Sequence, residues 1–304
     1  MRILVTGASG LLGLNLCLIQ ALHHDVIGVV HSAELSGVPF QLLRADLTLD
    51  GEVERIIDET SPDLVVNCAA LAGVDQCEDH PQVAHLINAC MPGITAAHCD
   101  HHHIPFIHIS TDAVFDGATG GYHETDQPNP LSVYAETKLE GEKRVLQAHA
   151  GALVARVNFY GHSLSGERSL AEFFLHHLLD GRSVNGFVDV FFSPLYARHL
   201  VNILMSMVEQ GLEGLYHVVC GEKISKYEFG RQIANKLSLD EDLVHPISYL
   251  DAGLKAKRSP NLFLDISKLQ HTGIAVPLLA EGLDGFISDF QAGWHTQLQG
   301  YHPQ

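Results

Sequence analysis

Two residues that can move a proton together, Tyr134 and Lys138, stand four positions apart in the stretch YAETK. Residues four apart share one face of a helix, so the phenol and the ammonium can reach the same site. A free tyrosine has a pKa near ~10, and a neighbouring cation favours its ionised form. Such a tyrosine can protonate the alkoxide that forms as hydride reaches a ketone. The pair alone is weak evidence, because a tyrosine and a lysine on a solvated helix face are common.

A hydroxyl that can hold a substrate carbonyl lies 23 residues before Tyr134. This residue, Thr111, follows a predicted strand, and ligands bind at the carboxyl ends of strands in open α/β sheets. A threonine there can hydrogen-bond the carbonyl and polarise it. Thr111, Tyr134 and Lys138 are therefore the predicted catalytic residues. Asn88, inside an apolar helix, either holds a water near Lys138 or is a partly buried polar residue.

A glycine-rich segment, residues 6–13 (TGASGLLG), lies directly between a predicted strand and a predicted helix. Glycines permit a tight turn and let the backbone approach a pyrophosphate. The following helix N-terminus attracts that anion through its N–H groups and its partial positive charge. In this context the segment predicts dinucleotide binding. Its spacing, G-x-x-G-x-x-G, resembles the short-chain dehydrogenase/reductase superfamily.

The end of the second predicted strand, at His31 and Ser32, bears on the choice of cofactor. An Asp or Glu there would bind the adenosine ribose of NAD, and its absence permits a 2′-phosphate. No arginine is present there to hold that phosphate. The missing acidic residue therefore favours NADP(H), while the missing arginine leaves NAD(H) open. Asp46, after the third strand, either accepts from the adenine amino group or caps a helix from within a turn. The predicted cofactor-binding residues are Gly7, Ser9, Gly10, Leu11, Leu12, Gly13, His31, Ser32, Asp46, Leu47, Cys68, Ala69, Ala70, Tyr134 and Lys138.

The elements that must position these residues alternate short apolar runs with amphipathic stretches, which is typical of βαβ units and a parallel sheet. Strands are predicted at 3–5, 26–30, 40–43, 64–66, 106–109 and 153–157, with helices at 11–22, 50–60, 81–99 and 130–149. Beyond them the pattern is irregular, with helices near 167–180, 195–209, 225–238 and 279–298. We expect an α/β fold with a Rossmann-type doubly wound parallel sheet over residues 1–157. A smaller α/β substrate-binding lobe would cover residues 158–304, with strands that can return to the main sheet.

The charge balance of the chain, 18 Lys and Arg against 36 Asp and Glu, gives a formal charge of −18. Such an acidic protein is repelled by phosphate backbones and anionic membranes, so nucleic acid is an unexpected partner. No stretch approaches the roughly 20 apolar residues of a membrane span. The six cysteines form no C-x-x-C pair, which indicates a reducing compartment, and we expect a cytoplasmic protein.

A run of three histidines, residues 101–103, is the most obvious candidate for metal binding. Consecutive side chains point in different directions, so the run does not form a preorganised site without further ligands. It also precedes an apolar strand, where a polar turn is expected. We therefore predict no metal.

The sequence resembles the dTDP-4-dehydrorhamnose reductase family of the extended short-chain dehydrogenases over nearly its whole length. The runs that carry this resemblance are 6–13, 62–70, 74–78, 109–117, 128–131 with Tyr134 and Lys138, 258–261 and 264–269. The resemblance implies reduction of the 4-keto group of a deoxythymidine-diphosphate 6-deoxysugar by NADPH or NADH, with Thr111, Tyr134 and Lys138 as the catalytic trio. It implies a diphosphate contact for Arg258, and analogy with the superfamily makes a homodimer plausible. The residues expected at the substrate are Thr111, Asp112, Ala113, Val114, Phe115, Asn158, Phe192 and Arg258.

Two departures from the family pattern leave the identity of the sugar open. The family commonly has a tyrosine after the Thr-Asp pair, where this chain has Ala113. The segment 189–195 (DVFFSPL) is much more apolar than the family's corresponding turn. Both positions belong to the expected substrate side, so the redox residues are unaffected.

Two alternatives to a reductase remain. The regulatory subunit of methionine adenosyltransferase resembles the same family, so a cofactor-binding protein with little turnover is one alternative. A sugar-nucleotide epimerase or dehydratase is the other. Dehydratases carry Thr-Asp-Glu after the strand. This chain has an alanine at position 113 in place of that Glu, so dehydration is less expected than epimerisation.

Overall fold

The computed structural model describes residues 1–253 and 259–302. Its strands are β1 Arg2–Thr6, β2 Asp25–Val30, β3 Gln41–Arg44, β4 Leu64–Asn67, β5 Phe106–Thr111, β6 Leu153–Val157, β7 Phe159–Tyr160, β8 Val184–Phe187, β9 Phe191–Phe192, β10 Leu195–Tyr196, β11 Gly214–Val218, β12 Ile224–Ser225 and β13 Val244–Ile247. Its helices are α1 Leu11–Gln20, α2 Glu52–Thr60, α3 Val74–Asp79, α4 Pro81–His85, α5 Met91–His101, α6 Val133–Ala148, α7 Leu170–Leu179, α8 Ala197–Glu209, α9 Lys226–Lys236, α10 Ser267–Gln270, α11 Leu279–Gln291 and α12 Trp294–Gly300. A single π-helical segment, Leu86–Cys90, joins α4 to α5.

Seven parallel strands form the central sheet in the order β11-β6-β5-β4-β1-β2-β3. This is the doubly wound arrangement expected from the sequence, and it confirms the Rossmann-type fold class. Strand β11 comes from the second half of the chain and pairs with β6 in parallel register, Gly214 opposite Leu153. The sheet therefore extends beyond the predicted boundary at residue 157, as the expectation of returning strands allowed.

Strand order reverses between β1 and β4, because the chain leaves β1 towards β2 and β3 and then returns to the other side of β1. Ligands of open α/β sheets bind in the crevice that this reversal opens at the carboxyl ends of the strands. Thr6, Asn67 and Thr111 end β1, β4 and β5 respectively, so all three lie at that edge.

Apolar residues on both faces hold the sheet in place. On β1, Val5 joins the larger core cluster and Leu4 joins the cluster on the opposite face. Helices therefore cover both sides, and the strands read as continuous apolar runs because neither face meets water. Helix α6 begins later than predicted, at Val133, because the Ser132 hydroxyl caps it by accepting from the Ala135 N–H at 3.3 Å.

Outside the central sheet, helices α7, α9 and α11 and three short strand pairs, β7–β10, β8–β13 and β9–β12, form a second group of elements. Phe229 lies at its centre and packs edge-on against Tyr160 and Phe192, with ring centroids 5.1 and 5.4 Å apart. This packing fixes the Phe191–Phe192 segment beside the carboxyl edge of the sheet. Among the helices of residues 1–253 and 259–302, none is long and apolar enough to cross a membrane.

Candidate active site

The three predicted catalytic residues meet at the carboxyl edge of the sheet. Thr111 ends β5, while Tyr134 and Lys138 lie one turn apart on α6, which packs beside that strand. Tyr134 is partly exposed to the cleft, whereas Lys138 is buried at 2% exposure. The Lys138 ammonium donates to the carbonyl oxygen of Ile109 at 2.6 Å. The lysine is thereby held against the strand that carries Thr111.

The environment of Tyr134 keeps its phenol protonated at neutral pH. Burial raises the pKa of Tyr134 to about 12, and the charge of Asp112 acts in the same direction. A hydrogen bond with the Thr111 side chain opposes this shift in the pKa. Since the protonated form dominates, the phenol is a proton donor that stands next to a second hydroxyl.

The charge of Lys138 depends on pH in a range close to neutrality. Burial lowers the pKa of Lys138 to about 8, although Glu142, one turn further along α6, raises it. A buried ammonium needs hydrogen-bond acceptors, and Ile109 supplies one. The charge on Lys138 is therefore present at neutral pH and is lost just above it.

A buried histidine behind Lys138 was not identified from the sequence. His108 Nε2 lies 3.4 Å from Lys138 Nζ, and His108 Nδ1 lies 3.0 Å from the Asn67 amide nitrogen. The Asn67 amide oxygen in turn accepts from the Thr6 hydroxyl at 2.5 Å. Burial and the Lys138 charge hold the pKa of His108 well below its usual range, so the ring is neutral. The signal in the sequence was a histidine inside an otherwise apolar strand.

Asn88 lies in the π-helical segment between α4 and α5, and its amide is fully used within the protein. The side-chain oxygen accepts from the Leu71 N–H at 2.9 Å, and the amide nitrogen donates to the Leu71 carbonyl and the Thr137 hydroxyl, each at 3.1 Å. Asn88 therefore ties the loop after β4 to helix α6. These contacts support the interpretation of Asn88 as a buried polar residue rather than as a residue that holds a water near Lys138.

The glycine-rich turn has the shape that a pyrophosphate requires. Gly7 has a positive φ of 68°, and a Cβ added there would lie 2.7 Å from the Ala69 Cα. A Cβ on Gly13 would lie 2.3 Å from the Gly7 carbonyl oxygen. The turn thus packs tightly on the end of β4, and only bare backbone fits.

The N-terminus of α1 follows this turn without competing anions. Within the described chain no side chain caps α1 at Gly10, and its first turn carries no acidic residue. The N–H groups of that turn are therefore left for a ligand. Ser9 is partly exposed, whereas Leu11 and Leu12 are buried, so these two leucines can contribute only backbone contacts. The residues present fit a dinucleotide.

The adenosine end of the crevice contains an arginine that the sequence analysis missed. Arg44 ends β3 opposite Val30 of β2, so it lies beside the exposed His31 and Ser32. Its guanidinium is 57% exposed and stands 3.6 Å from Glu34. The prediction that no arginine is available there was wrong, because pairing of β2 with β3 brings together residues 14 positions apart.

Asp46 lies next to this group and forms a local turn. Its carboxylate accepts from the Thr48 N–H at 3.0 Å and from the Thr48 hydroxyl at 2.6 Å, and these bonds lower the pKa of Asp46. His31 Nε2 stands 3.7 Å from the same carboxylate. Asp46 therefore stabilises a local turn and does not cap α2, whose N-cap residue is Gly51, while its contact with adenine stays a prediction. The neighbouring Leu47 is partly buried.

The end of β4 forms the floor of the crevice with small side chains. Cys68 and Ala69 are partly buried and Ala70 is exposed. Burial raises the pKa of the Cys68 thiol to about 12, so it remains an unreactive thiol. These residues lie between the glycine turn and Lys138, and their contact with the cofactor stays a prediction.

On the substrate side, a cavity of about 140 Å3 opens beside Tyr134. Its lining consists of Val74, Ala113, Leu131, Ser132, Tyr134, Asn158, Val190, Phe191, Phe192, Lys226, Ser259 and Leu262. Three of the predicted substrate residues, Ala113, Asn158 and Phe192, belong to this set. Phe191 belongs to the segment 189–195 that was expected on the substrate side, whereas Lys226 was not predicted, because it comes from an element far away in the sequence.

Asp112 is buried directly behind the cavity. Its carboxylate accepts from the Asn158 amide at 2.6 Å and from the Thr111 hydroxyl at 3.2 Å. Burial raises the pKa of Asp112 to about 6, while the Asn158 bond and the charge of Lys226 oppose that shift. Through these two hydrogen bonds Asp112 orients the side chains of Thr111 and Asn158.

Two predicted substrate residues, Val114 and Phe115, take a different role. Both are fully buried in a separate core cluster, where Phe115 stacks on Tyr122 with ring centroids 4.2 Å apart. Neither side chain lines the cavity, because the turn after Thr111 directs them into the core. We therefore assign them to packing. Arg258 lies outside the described residues.

Comparison with known proteins places this geometry among reductases. The model of the family described as "RmlD substrate binding domain" matches residues 1–292. A probable low-salt glycan biosynthesis reductase, Agl14 of Haloferax volcanii, is 34% identical over 95% of this chain and 99% of its own length. The methionine adenosyltransferase 2 subunit beta of Danio rerio is 31% identical over 90% of this chain and 86% of its own length. A solved structure of dTDP-4-dehydrorhamnose reductase from Bacillus anthracis in complex with NADP has a TM-score of 0.81 and 25% identity, covering 95% of this chain and 99% of that one.

Proposed function

Because the chain belongs to the RmlD substrate binding domain family, we propose that it reduces a keto group on a nucleotide-linked deoxysugar. It is an NAD(P)-dependent oxidoreductase of the extended short-chain type. The observation that carries the proposal is the Tyr134 phenol, which lies beside Thr111 and lines the cavity. The solved relative named dTDP-4-dehydrorhamnose reductase supports the class of substrate.

The reaction needs a hydride, which the nicotinamide of NAD(P)H supplies when it is bound in the crevice. The Tyr134 hydroxyl donates a hydrogen bond to the substrate carbonyl oxygen. The Thr111 hydroxyl, which donates to Asp112 in the structure, turns its single proton to the same oxygen when substrate binds. As negative charge develops on that oxygen, the Tyr134 phenol transfers its proton there and completes the alcohol. The positive charge of Lys138 lowers the cost of the phenolate that remains.

Three buried groups keep this geometry in place. The Ile109 carbonyl accepts from the Lys138 ammonium near the carboxyl end of β5, and the neutral His108 ring packs beside that ammonium. Asp112 accepts from Thr111 and holds the Thr111 side chain in place beside Tyr134. The reacting groups are thus positioned before substrate arrives, which reduces reorganisation during the reaction.

The central test is the replacement Tyr134→Phe, assayed by NADPH and NADH oxidation with a dTDP-4-keto-6-deoxysugar supplied by a coupled dehydratase. We expect kcat to fall at least ~100-fold, since general acid catalysis contributes about that much. Cofactor affinity, measured by fluorescence titration, should stay near that of the parent. Tyr249→Phe, in a short 3-10 helix away from the cavity lining, is the matched control and should keep full activity. Unchanged turnover in Tyr134→Phe would contradict the assignment.

We further propose that NADP(H) is the preferred cofactor, with Arg44, His31 and Ser32 holding its 2′-phosphate. A guanidinium beside two exposed polar residues suits a phosphate, and Glu34 is a weak competitor at 3.6 Å. The replacement Arg44→Ala should reduce the ratio of kcat/KM for NADPH over NADH by about tenfold, equivalent to roughly 1.4 kcal/mol. Arg55→Ala, an exposed arginine on α2 paired with Glu52 and Glu59, should leave the ratio unchanged. If the ratio of kcat/KM for NADPH over NADH were equal in both variants, Arg44 would not bind the 2′-phosphate.

A second candidate function is a cofactor-binding regulatory subunit, favoured by the 31% identity to methionine adenosyltransferase 2 subunit beta. The intact set of Thr111, Tyr134 and Lys138 supports catalysis instead. Tight cofactor binding without oxidation of NADPH or NADH, together with co-purification of a larger enzyme, would favour the regulatory role.

We also propose that the protein is a homodimer and that it is cytoplasmic. Light scattering would test the oligomeric state, and cell fractionation would test the location.

A further inference from the structure

A cluster of two histidines and one aspartate lies on the surface far from the reductase site. His98 and His102 are one turn apart on and just after α5, and Asp58 is in the last turn of α2. The His98 Nε2 atom lies 2.8 Å from Asp58 Oδ1, and the His102 Nε2 atom lies 3.4 Å from the same oxygen. We propose that these three side chains form a binding site for a divalent transition-metal ion such as Zn2+.

The spacing of the three ligand atoms suits such an ion. Two ligands each about 2.1 Å from a tetrahedral Zn2+ are roughly 3.4 Å apart. The three candidate atoms all lie within 4.8 Å of one another, so small rotations of the exposed Asp58 and His102 side chains bring them to the required distances around the half-buried His98. Two imidazoles and one carboxylate are ligands that zinc accepts, and the open fourth position is left to water.

The electrostatic surroundings also favour a cation. Asp58 and His102 stand at the carboxyl ends of α2 and α5, where each helix presents a partial negative charge. The whole chain carries a formal charge of −18, so divalent cations are attracted to it over longer distances. Two helix ends and one carboxylate thus point towards the same spot.

The ligand set differs from the histidine run that the sequence displays. Of residues 101–103, only His102 belongs to the cluster, and its partners come from one turn earlier and from another helix. His101 packs edge-on against the His102 ring, with centroids 4.9 Å apart, but is not among the candidate ligands. The prediction of no metal rested on the run alone, whereas the tertiary structure supplies the missing ligands.

The position of the cluster separates its effect from catalysis. Helices α2 and α5 end just before β4 and β5 begin, so the cluster lies at the amino edge of the sheet. Thr111 lies at the opposite, carboxyl edge. A bound ion would therefore link α2 to α5 and raise the thermal stability of the sheet domain without entering the reaction.

The test is zinc binding by the full chain, prepared without a histidine tag and measured by equilibrium dialysis against Zn2+ in the presence of a weak chelator. We expect one tightly bound Zn2+ per chain and a rise in Tm on zinc addition. The replacements His98→Gln and His102→Gln should each weaken that binding at least about tenfold and remove the rise in Tm. His101→Gln is the matched control, because it keeps the cluster while shortening the histidine run.

The outcomes separate the possible explanations. Retained binding in His101→Gln, with loss in both cluster variants, supports the site. Equal loss in all three variants would assign binding to the run of histidines and overturn the proposal. Absence of a stoichiometric, tightly bound Zn2+ in the parent chain, or unchanged binding in His98→Gln, would also overturn it. Reductase activity should be the same in all four proteins, so failure here leaves the proposed function untouched.

Discussion

The glycine turn and the substrate cavity are two halves of one crevice, yet they are built in opposite ways. The turn is a continuous segment of backbone, and a Cβ at Gly13 would stand 2.3 Å from the Gly7 carbonyl oxygen. The cavity is assembled from side chains spread between Val74 and Leu262. A tightly packed backbone has no room for an added atom. In a cavity lined by many side chains, by contrast, replacing one of them changes only part of the binding surface. Substitutions in the turn should therefore abolish binding, whereas those in the cavity should alter affinity.

The strongest expected effect is that of Gly13→Ala on cofactor affinity. The methyl group would force apart the turn and α1, and we expect Kd for NADPH to rise at least about 100-fold, equivalent to roughly 3 kcal/mol. Fluorescence titration measures the affinity, and circular dichroism checks that the variant is folded. Gly10→Ala, whose Cβ would stand 3.1 Å from the Gly7 carbonyl oxygen, should show a smaller loss.

Gly300→Ala is the control for this series, because no atom lies within 4 Å of an added Cβ at that position. Its affinity for NADPH should equal that of the parent. If the three alanine variants bound NADPH equally well, close backbone packing would not be what makes the turn a cofactor site.

On the cavity side, Lys226→Gln should raise KM for the nucleotide sugar while leaving cofactor affinity unchanged. Lys226 lines the cavity, and its charge opposes the rise in the pKa of Asp112. Loss of a hydrogen bond between a cation and an anionic substrate costs about 2 kcal/mol, so we expect KM to rise by about 20-fold. Steady-state kinetics with the coupled dehydratase measures the change.

Lys236→Gln is the matched control at the other end of the same helix, where the ammonium pairs with Asp284. It should leave KM unchanged. A similar rise of KM in both variants would indicate a general effect of charge rather than a contact in the cavity.

The smallest expected effect concerns Lys138, which lies between the two halves. Its pKa is lowered to about 8 by burial, so the ammonium is present below that pH and is lost above it. We expect kcat/KM for reduction to fall as pH rises through 8, by about tenfold one unit above it, because the neutral amine no longer stabilises the phenolate. A pH profile of kcat/KM reports this pKa in the free enzyme.

The variants Lys138→Met and Lys138→Arg show whether the decline of kcat/KM above pH 8 is caused by deprotonation of Lys138. Both side chains are free of a pKa near 8, so the decline should disappear in both, at a lower overall rate for the methionine. A decline that persists unchanged in both variants would assign the limb to another group.

The sequence predicted the local parts of the site well. The Rossmann-type sheet was predicted from continuous apolar runs, because strands buried on both faces leave that pattern. The glycine turn was predicted because its residues are contiguous. The cluster of Thr111, Tyr134 and Lys138 required only one strand end and one helix spacing, and the structure brings all three together.

Residues that meet only through strand pairing or lobe packing were beyond the reach of the sequence. Arg44 joins His31 because β3 pairs with β2, and Lys226 reaches the cavity because the lobe folds over the sheet. Val114 and Phe115 turned inward, although their motif placed them next to Thr111. The direction of a side chain after a strand end depends on the turn that follows, which no periodicity specifies.

The sequence by itself thus indicated the parallel sheet, the phosphate turn and the pairing of Tyr134 with Lys138, since each leaves a local pattern: apolar runs, contiguous glycines and a four-residue helix spacing. The tertiary structure alone decided that His108 supports Lys138, that Arg44 borders the adenosine site, and that Asp58 meets His98 and His102. Those contacts join residues whose separation along the chain carries no physical information about their distance in space. Only the packing of helices and strands around a common core brings them together.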